Sequence, residues 1–245
     1  MSSVGARQFH TRSFEPSGSL EARTRLEPSG LVWVPRLSRY AMVSDDTGRT
    51  GENEDTPWLF TMDTKGKLDR IPLAIVGLEE LKDMEALARG PGEVLYGLAS
   101  QSHSKSGKRP KAREQFIRLV PEGVGYRADG VVHLASLIEA LPEAQRTALG
   151  LTDTSQLDIE GLTGHEGGLL FGLKHPLDAE GNAMIWRLDR PDRLFDTGRL
   201  EDAGLQAWAS VKMTVQADGA TVPAGIAELL ALPELFLHGY GADGA

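Results

Sequence analysis

Residues 158–177 read DIEGLTGHEGGLLFGLKHPL, and residues 83–102 read DMEALARGPGEVLYGLASQS. Both run as an acid, any residue, Glu, a small residue and Leu, followed by a Gly-rich turn and an apolar run. A third, weaker copy opens at Glu27-Pro28-Ser29-Gly30-Leu31, with Ser29 where the others place Glu85 and Glu160. Second apolar runs follow each opening (RYAMVSDD, EVLYGLASQS, GLLFGLKHPL), then third runs (PWLFTMD, REQFIRLV, AMIWRLD). Fourth runs are expected at KLDRIPL, GVGYRADGVVHL and DRLFDTG. A sentence used three times is the signature of a repeat architecture.

Short runs rich in Val, Ile, Tyr and Phe, bounded by DTKGK, GPGE, GHEGG and DAEGNA, predict strands joined by hairpins. Four strands per repeat make the blade of an all-β fold, the β-propeller. The small residue in the first strand has a steric reason, because inner strands crowd a shared centre and Gly or Ala lets neighbours approach. Between the second and third copies, LASLIEALPEAQRTALG has Leu134, Leu137, Ile138 and Leu141 at helical spacing and Gly150 as a stop, predicting a helical insertion over 134–150 on the outside of the propeller. A fourth, degraded copy is expected at AGIAELLALPELFLHGYG, with Glu228 near the inner position and only two strands. Two readings of the ring stand. Either the N-terminal runs RQFHTR and SLEARTRLE complete a fourth blade within one domain spanning 1–245, or the ring is open. An open ring leaves edge strands that favour self-association.

Composition narrows the function. A net charge of −9 excludes a general nucleic-acid binder, which needs clustered positive charge. No cysteine is present, so disulfides, thiolate metal sites and cysteine catalysis are ruled out. MSSVGARQFHTRSFEPSG lacks the apolar core of a signal peptide and no segment is long enough to span a bilayer, so a soluble cytoplasmic protein with no membrane partner is expected. There is no P-loop, no GxGxxG after a strand and no GxSxG. GHEGG starts like a zincin motif but places Leu169 where the second His belongs.

Residues 83–119 and 158–177, with the weaker LEPSGLVWVPRLSRYAMVSDD, resemble the phytase-like, or esterase-like, bacterial β-propeller group, especially its uncharacterised branch. The similarity covers roughly residues 26 to 190. It implies calcium ions held on channel-mouth carboxylates and hydrolysis of phosphate esters. Members of the group are generally longer and carry further blades.

The residues supply their own argument for a cation. Glu85 and Glu160 are equivalent, and Asp83, Asp158 and Glu27 precede their partners by two positions, hence on the same strand face. Convergent inner strands bring these carboxylates together, where like charges raise one another's pKa unless a cation neutralises them. Asp45, Asp83, Glu85, Asp158 and Glu160 are therefore candidate ligands for Ca²⁺ or Mg²⁺. Alternatively each acid accepts hydrogen bonds inside its own repeat. SHSKSGKRPKAR (102–113) concentrates five cations in one loop of an acidic protein, and Arg109, Arg113 and Lys174 are candidate anion ligands. His103 and His175 are candidate acid–base groups. Lys174-His175, Ser100-Gln101 and Asp45-Asp46 hold equivalent places at second-strand ends, as a ligand-binding rim would. DDTGRTGENED (45–55) reads as a solvated acidic hairpin loop without the ligand order of an EF-hand. The readings that follow are a metal-assisted hydrolase of small anionic substrates and a non-catalytic module binding a ligand or a protein partner.

Overall fold

The computed structural model describes residues 26–45, 53, 55–231 and, for the backbone, 235–239. The expected strand RQFHTR, residues 19–25 of SLEARTRLE, most of the 45–55 loop, and residues 232–234, 240 and 241 of the fourth copy lie outside these. The chain is mostly β. Strands β1 (Pro28–Val34), β2 (Arg39–Ser44), β3 (Trp58–Met62) and β4 (Leu73–Val76) form one antiparallel meander. A second is built from β5 (Met84–Arg89), β6 (Leu95–Ala99), β7 (Gln115–Glu122) and β8 (Gly125–His133). A third comprises β9 (Asp158–His165), β10 (Gly168–His175), β11 (Ala183–Leu188) and β12 (Leu205–Val211). Two hairpins follow, β13 (Thr214–Ala217) with β14 (Ala220–Pro223), and β15 (Ile226–Ala231) with β16 (Leu235–Gly239).

A short parallel pairing of β4 with β8 joins the first two meanders into an eight-stranded sheet. Its end strands β1 and β5 come back together, and a Cβ on Gly30 would lie 2.4 Å from Leu87 N, so the sheet is nearly closed and barrel-like. The first strands then follow one another in space, β5 beside β9 and β9 beside β15. A Cβ on Gly161 would lie 2.9 Å from Leu229 Cβ, which bears out the steric reason for small residues in the repeat.

Turn chemistry sets the hairpins. Glu166 and Gly167 take φ of 48° and 79° between β9 and β10, and Asp218-Gly219 take 49° and 80° between β13 and β14. Two consecutive positive φ values are the two-residue turn whose twist matches antiparallel strands. The continuous apolar runs of β6 and β10 are buried on both faces because sheets pack on either side. Tyr96, Phe116, Phe171 and Trp186 anchor the largest core, between the second and third meanders.

Two expectations, at DRLFDTG and KLDRIPL, need correction. The helical insertion is two short helices, α1 (Leu134–Glu139) and α2 (Glu143–Ala148), with one face of α1 packed into that core and no residue of α2 buried. Leu134, Ala135 and Ile138 are buried with Leu98 and Phe171, Gln101 Oε1 accepts from the Ala135 N–H at 2.9 Å, and Trp186 Nε1 donates to Leu149 O at 2.9 Å. DRLFDTG is helix α3 (Pro191–Thr197), followed by α4 (Leu200–Ala203), and the fourth strand is the later LQAWASV. Burying Leu194 and stacking Phe195 between Tyr96 and the Arg118 guanidinium outweighs strand propensity there. KLDRIPL contributes only an isolated bridge at Leu68, and β4 starts at its last residue. No helix among the described residues is long and apolar enough to cross a membrane.

Candidate functional site: the carboxylate mouth

Each first strand carries a β-bulge near its start. The bulged residue is Gly30 in β1, Glu85 in β5, Glu160 in β9 and Ala227 in β15. A bulge re-aims the side chain of the extra residue, and here it does so for both repeated glutamates. In the fourth copy the bulged residue is Ala227, next to Glu228, and Gly225 stands two residues before it, where a Cβ would lie 2.0 Å from Lys174 O.

The second-strand ends reach these first strands in a repeating stitch. Asp45 Oδ1 accepts from Asp83 N at 2.7 Å, Ser100 O accepts from Ile159 N at 2.8 Å, and Lys174 O packs on Gly225. Each copy's rim residue thus touches the start of the next copy, which brings the carboxylates to one mouth.

Two cations sit among them. Arg113 pairs through Nη2 with Asp83 Oδ1 and donates from Nη1 to Ser102 Oγ at 3.0 Å. The Ser100 hydroxyl donates to Asp83 Oδ2 and lies 2.8 Å from the Ser102 hydroxyl. Lys174 Nζ is 2.6 Å from Glu160 Oε1 and 4.0 Å from Asp158 Oδ2. Asp158 Oδ1 is buried without a hydrogen-bond partner. Glu85 has no hydrogen bond or ion pair to any described residue, although its carboxylate senses Glu160, Asp83, Asp158 and Asp45.

The electrostatics follow from burial and like charge. Desolvation first, then Glu160 and the other acids, push Glu85 up to about 8. Asp158 is raised to about 7 by burial and Glu160, against the pull of Lys174. Asp45 is raised by burial and by Asp83. Burial opposes the charge on Lys174, but its hydrogen bond to Glu160 and the surrounding acids outweigh that and raise it. His175, opposite Asp158 in the β9–β10 register, is lowered by burial and by Lys174, so its imidazole is neutral near pH 7.

The structure therefore gathers Asp45, Asp83, Glu85, Asp158, Glu160, Arg113, Lys174 and His175. It does not bring Arg109 or His103 to them. The Arg109 side chain is only 5% exposed, paired with Glu139 and donating to Thr154 O at 2.7 Å. His103 Nδ1 donates to Ser155 O at 2.9 Å. Lys111 bridges Glu114 and Ser136, so the basic loop is pinned along its second half while Lys105 and Lys108 stay exposed. Sequence reasoning passed over Ser102, because a lone loop serine carries no signal until Arg113 and Ser100 are beside it.

Carboxylate oxygens, the donors a hard divalent cation takes, predominate at the mouth; Asp158 Oδ1 lacks a donor, and Glu85 makes no ion pair among the described residues. As the side chains stand, no three His, Asp or Glu among the described residues are gathered as metal ligands. A scan against protein-family models and a search of curated proteins both find no match to this chain.

Proposed function

We propose that the carboxylate mouth binds a divalent cation, Ca²⁺ foremost and Mg²⁺ as the alternative, and with it a phosphate ester or related small anionic substrate, in the manner of a phytase-like β-propeller hydrolase. The observation that carries this reading is the pairing deficit. Among the described residues five carboxylates share the mouth with two cations, leaving Glu85 unpaired and Asp158 Oδ1 without a donor. Asp45, Glu85 and Asp158 would hold the ion, with Asp83 and Glu160 exchanging Arg113 and Lys174 for it. When bound, such an ion polarises a phosphoryl oxygen and acidifies water. The released Arg113 guanidinium and Lys174 ammonium would orient the anion, Arg113 with a fork suited to two phosphate oxygens. His175, neutral and beside Glu160, would accept a proton.

The propeller reading is supported by the succession of first strands β1, β5, β9 and β15 and by the stitch repeated between them. Three blades of four strands and the start of a fourth would place the mouth at one end of the central channel.

A non-catalytic binding module is favoured by a different observation, the internal neutralisation of Asp83 by Arg113 and Glu160 by Lys174. Thermal unfolding after chelation, then with excess Ca²⁺ or Mg²⁺, tests the first reading. A ligand that binds only the folded state stabilises it by about 2.7 kcal/mol at a hundredfold excess over Kd. We expect a calcium-dependent rise in Tm that Glu85→Gln abolishes, and calcium-dependent release of phosphate from a panel of phosphate monoesters. A rise without turnover selects the binding module, and no shift with either ion sinks the cation site.

A further inference from the structure

The fourth first strand differs from β5 and β9 at the residue after the bulge as well as at the acids. That residue is Ala86 in β5 and Gly161 in β9, both jammed against an adjacent first strand, and Leu31 in β1. In β15 that residue is Glu228. A large acidic side chain fits because a cavity of 210 Å³ opens between β15 and the other first strands. Leu31 and Val32 of β1, Leu87 of β5 and Leu162 of β9 form its apolar wall.

Glu228 stands alone there. Burial raises its carboxyl to about 7, and the hydrogen bond it accepts is from the backbone N–H of Leu229, at 3.2 Å. No Lys, Arg or His among the described residues pairs with it, and Arg89 on the same wall makes no ion pair with it. Thr163 also lines the cavity, its oxygen accepting from Ala231 N at 3.0 Å while its O–H remains available to donate.

We propose that this cavity binds a small organic ammonium ion, a primary amine on a short aliphatic chain, with Glu228 as its counter-ion and the leucines of β1, β5 and β9 around the chain. The chemistry selects that class. A lone carboxylate cannot supply the six to eight oxygens calcium requires. An anion would meet Glu228 unfavourably, and a neutral alcohol offers one donor and no charge. An ammonium brings three donors and a positive charge to a partly buried carboxylate, where a charged hydrogen bond is stronger than in water. The volume lies below the roughly 300 Å³ of drug-sized pockets, so the guest is small.

The test is an NMR titration at pH 8 in chelator with n-butylammonium, using n-butanol as the neutral isostere. The expected result is saturable amine binding at least tenfold tighter than the alcohol, reduced to within twofold by Glu228→Gln and unchanged by Glu85→Gln. Equal binding of amine and alcohol, binding of neither, or an amine preference that survives Glu228→Gln overturns the proposal. So does loss of binding in Glu85→Gln, which would move the amine to the carboxylate mouth. Should Glu228→Gln fail to fold, methyl shifts in the parent decide. Changes centred on Leu31, Leu87 and Leu162 support the site, and changes elsewhere refute it.

Discussion

Glu85 links the mouth to the stability of the whole chain. Its carboxyl titrates at about 8 in the fold against 4.5 ordinarily. Between those values the folded state keeps a proton that the unfolded chain has released. Stability is therefore fullest below the unfolded value and falls as pH rises towards 8. Asp158, raised from 3.8 to about 7, acts in the same direction over a lower window. In chelator, Tm should decline from pH 5 to pH 8, and Glu85→Gln should flatten the decline. At pH 8 we expect the variant to melt on the order of 3 °C above the parent, the shift that ~1 kcal/mol produces in a domain of this size. With saturating Ca²⁺ the order should reverse, because the parent gains a ligand that the variant has lost. A parent whose chelated Tm is flat across this window would show that Glu85 is not desolvated as the structure has it.

At the scale of elements, the bulged first strands decide how closely successive sheets pack. Gly30 combines a φ of +57° with a Cβ position 2.4 Å from Leu87 N and 2.7 Å from Ala86 C, all backbone that cannot step aside. Gly167 has a φ of +79° but open space around it. Gly167→Ala should cost only the left-handed strain of ~1 kcal/mol. Gly30→Ala adds a clash with β5 and should cost at least ~3 kcal/mol by denaturant titration. Equal costs would mean that β1 and β5 do not approach as observed. The repeat made Gly30 legible, since a small residue after an acid pattern repeated within one chain has a steric meaning. The strand runs were legible for the same reason, from apolar clusters between turn residues. The helix α3 was not read, although Pro191 at its first position, Asp192 in its first turn and Gly198 as a left-handed cap spell one locally. The expectation of a fourth strand overrode them. The buried face of the insertion was read from Leu134, Leu137, Ile138 and Leu141, of which Leu137 is only partly buried, but periodicity says only that a face is buried and not against which sheet. The site was legible at its acids and at Lys174 and His175. The loop arginines looked alike in sequence, and only the fold separates Arg113 at the mouth from Arg109 buried against Glu139 and Thr154.

At the scale of the molecule, the outer strands decide whether copies stay apart. The first two meanders solve their outer edges by pairing β4 with β8 in parallel. The third ends on β12, which has β11 on one side and no strand on the other among the described residues. Its sequence, LQAWASV, holds no charge across seven residues; five in a row are exposed, with Trp208 at 39%. An edge of that length without Lys, Pro or an inward charge is a template for another strand. We predict concentration-dependent self-association through β12, read by sedimentation velocity as a mass rising above 26.5 kDa over a hundredfold range of about 1 to 100 µM. Ala209→Lys, on an exposed position of that edge, should hold the chain at monomer mass without lowering its Tm by more than ~2 °C, the usual scale of a surface change. A parent that stays at 26.5 kDa throughout would mean that another part of the same chain covers β12. Ring closure within one molecule would then be the better account of the third outer edge, and the carboxylate mouth would be complete in a single copy.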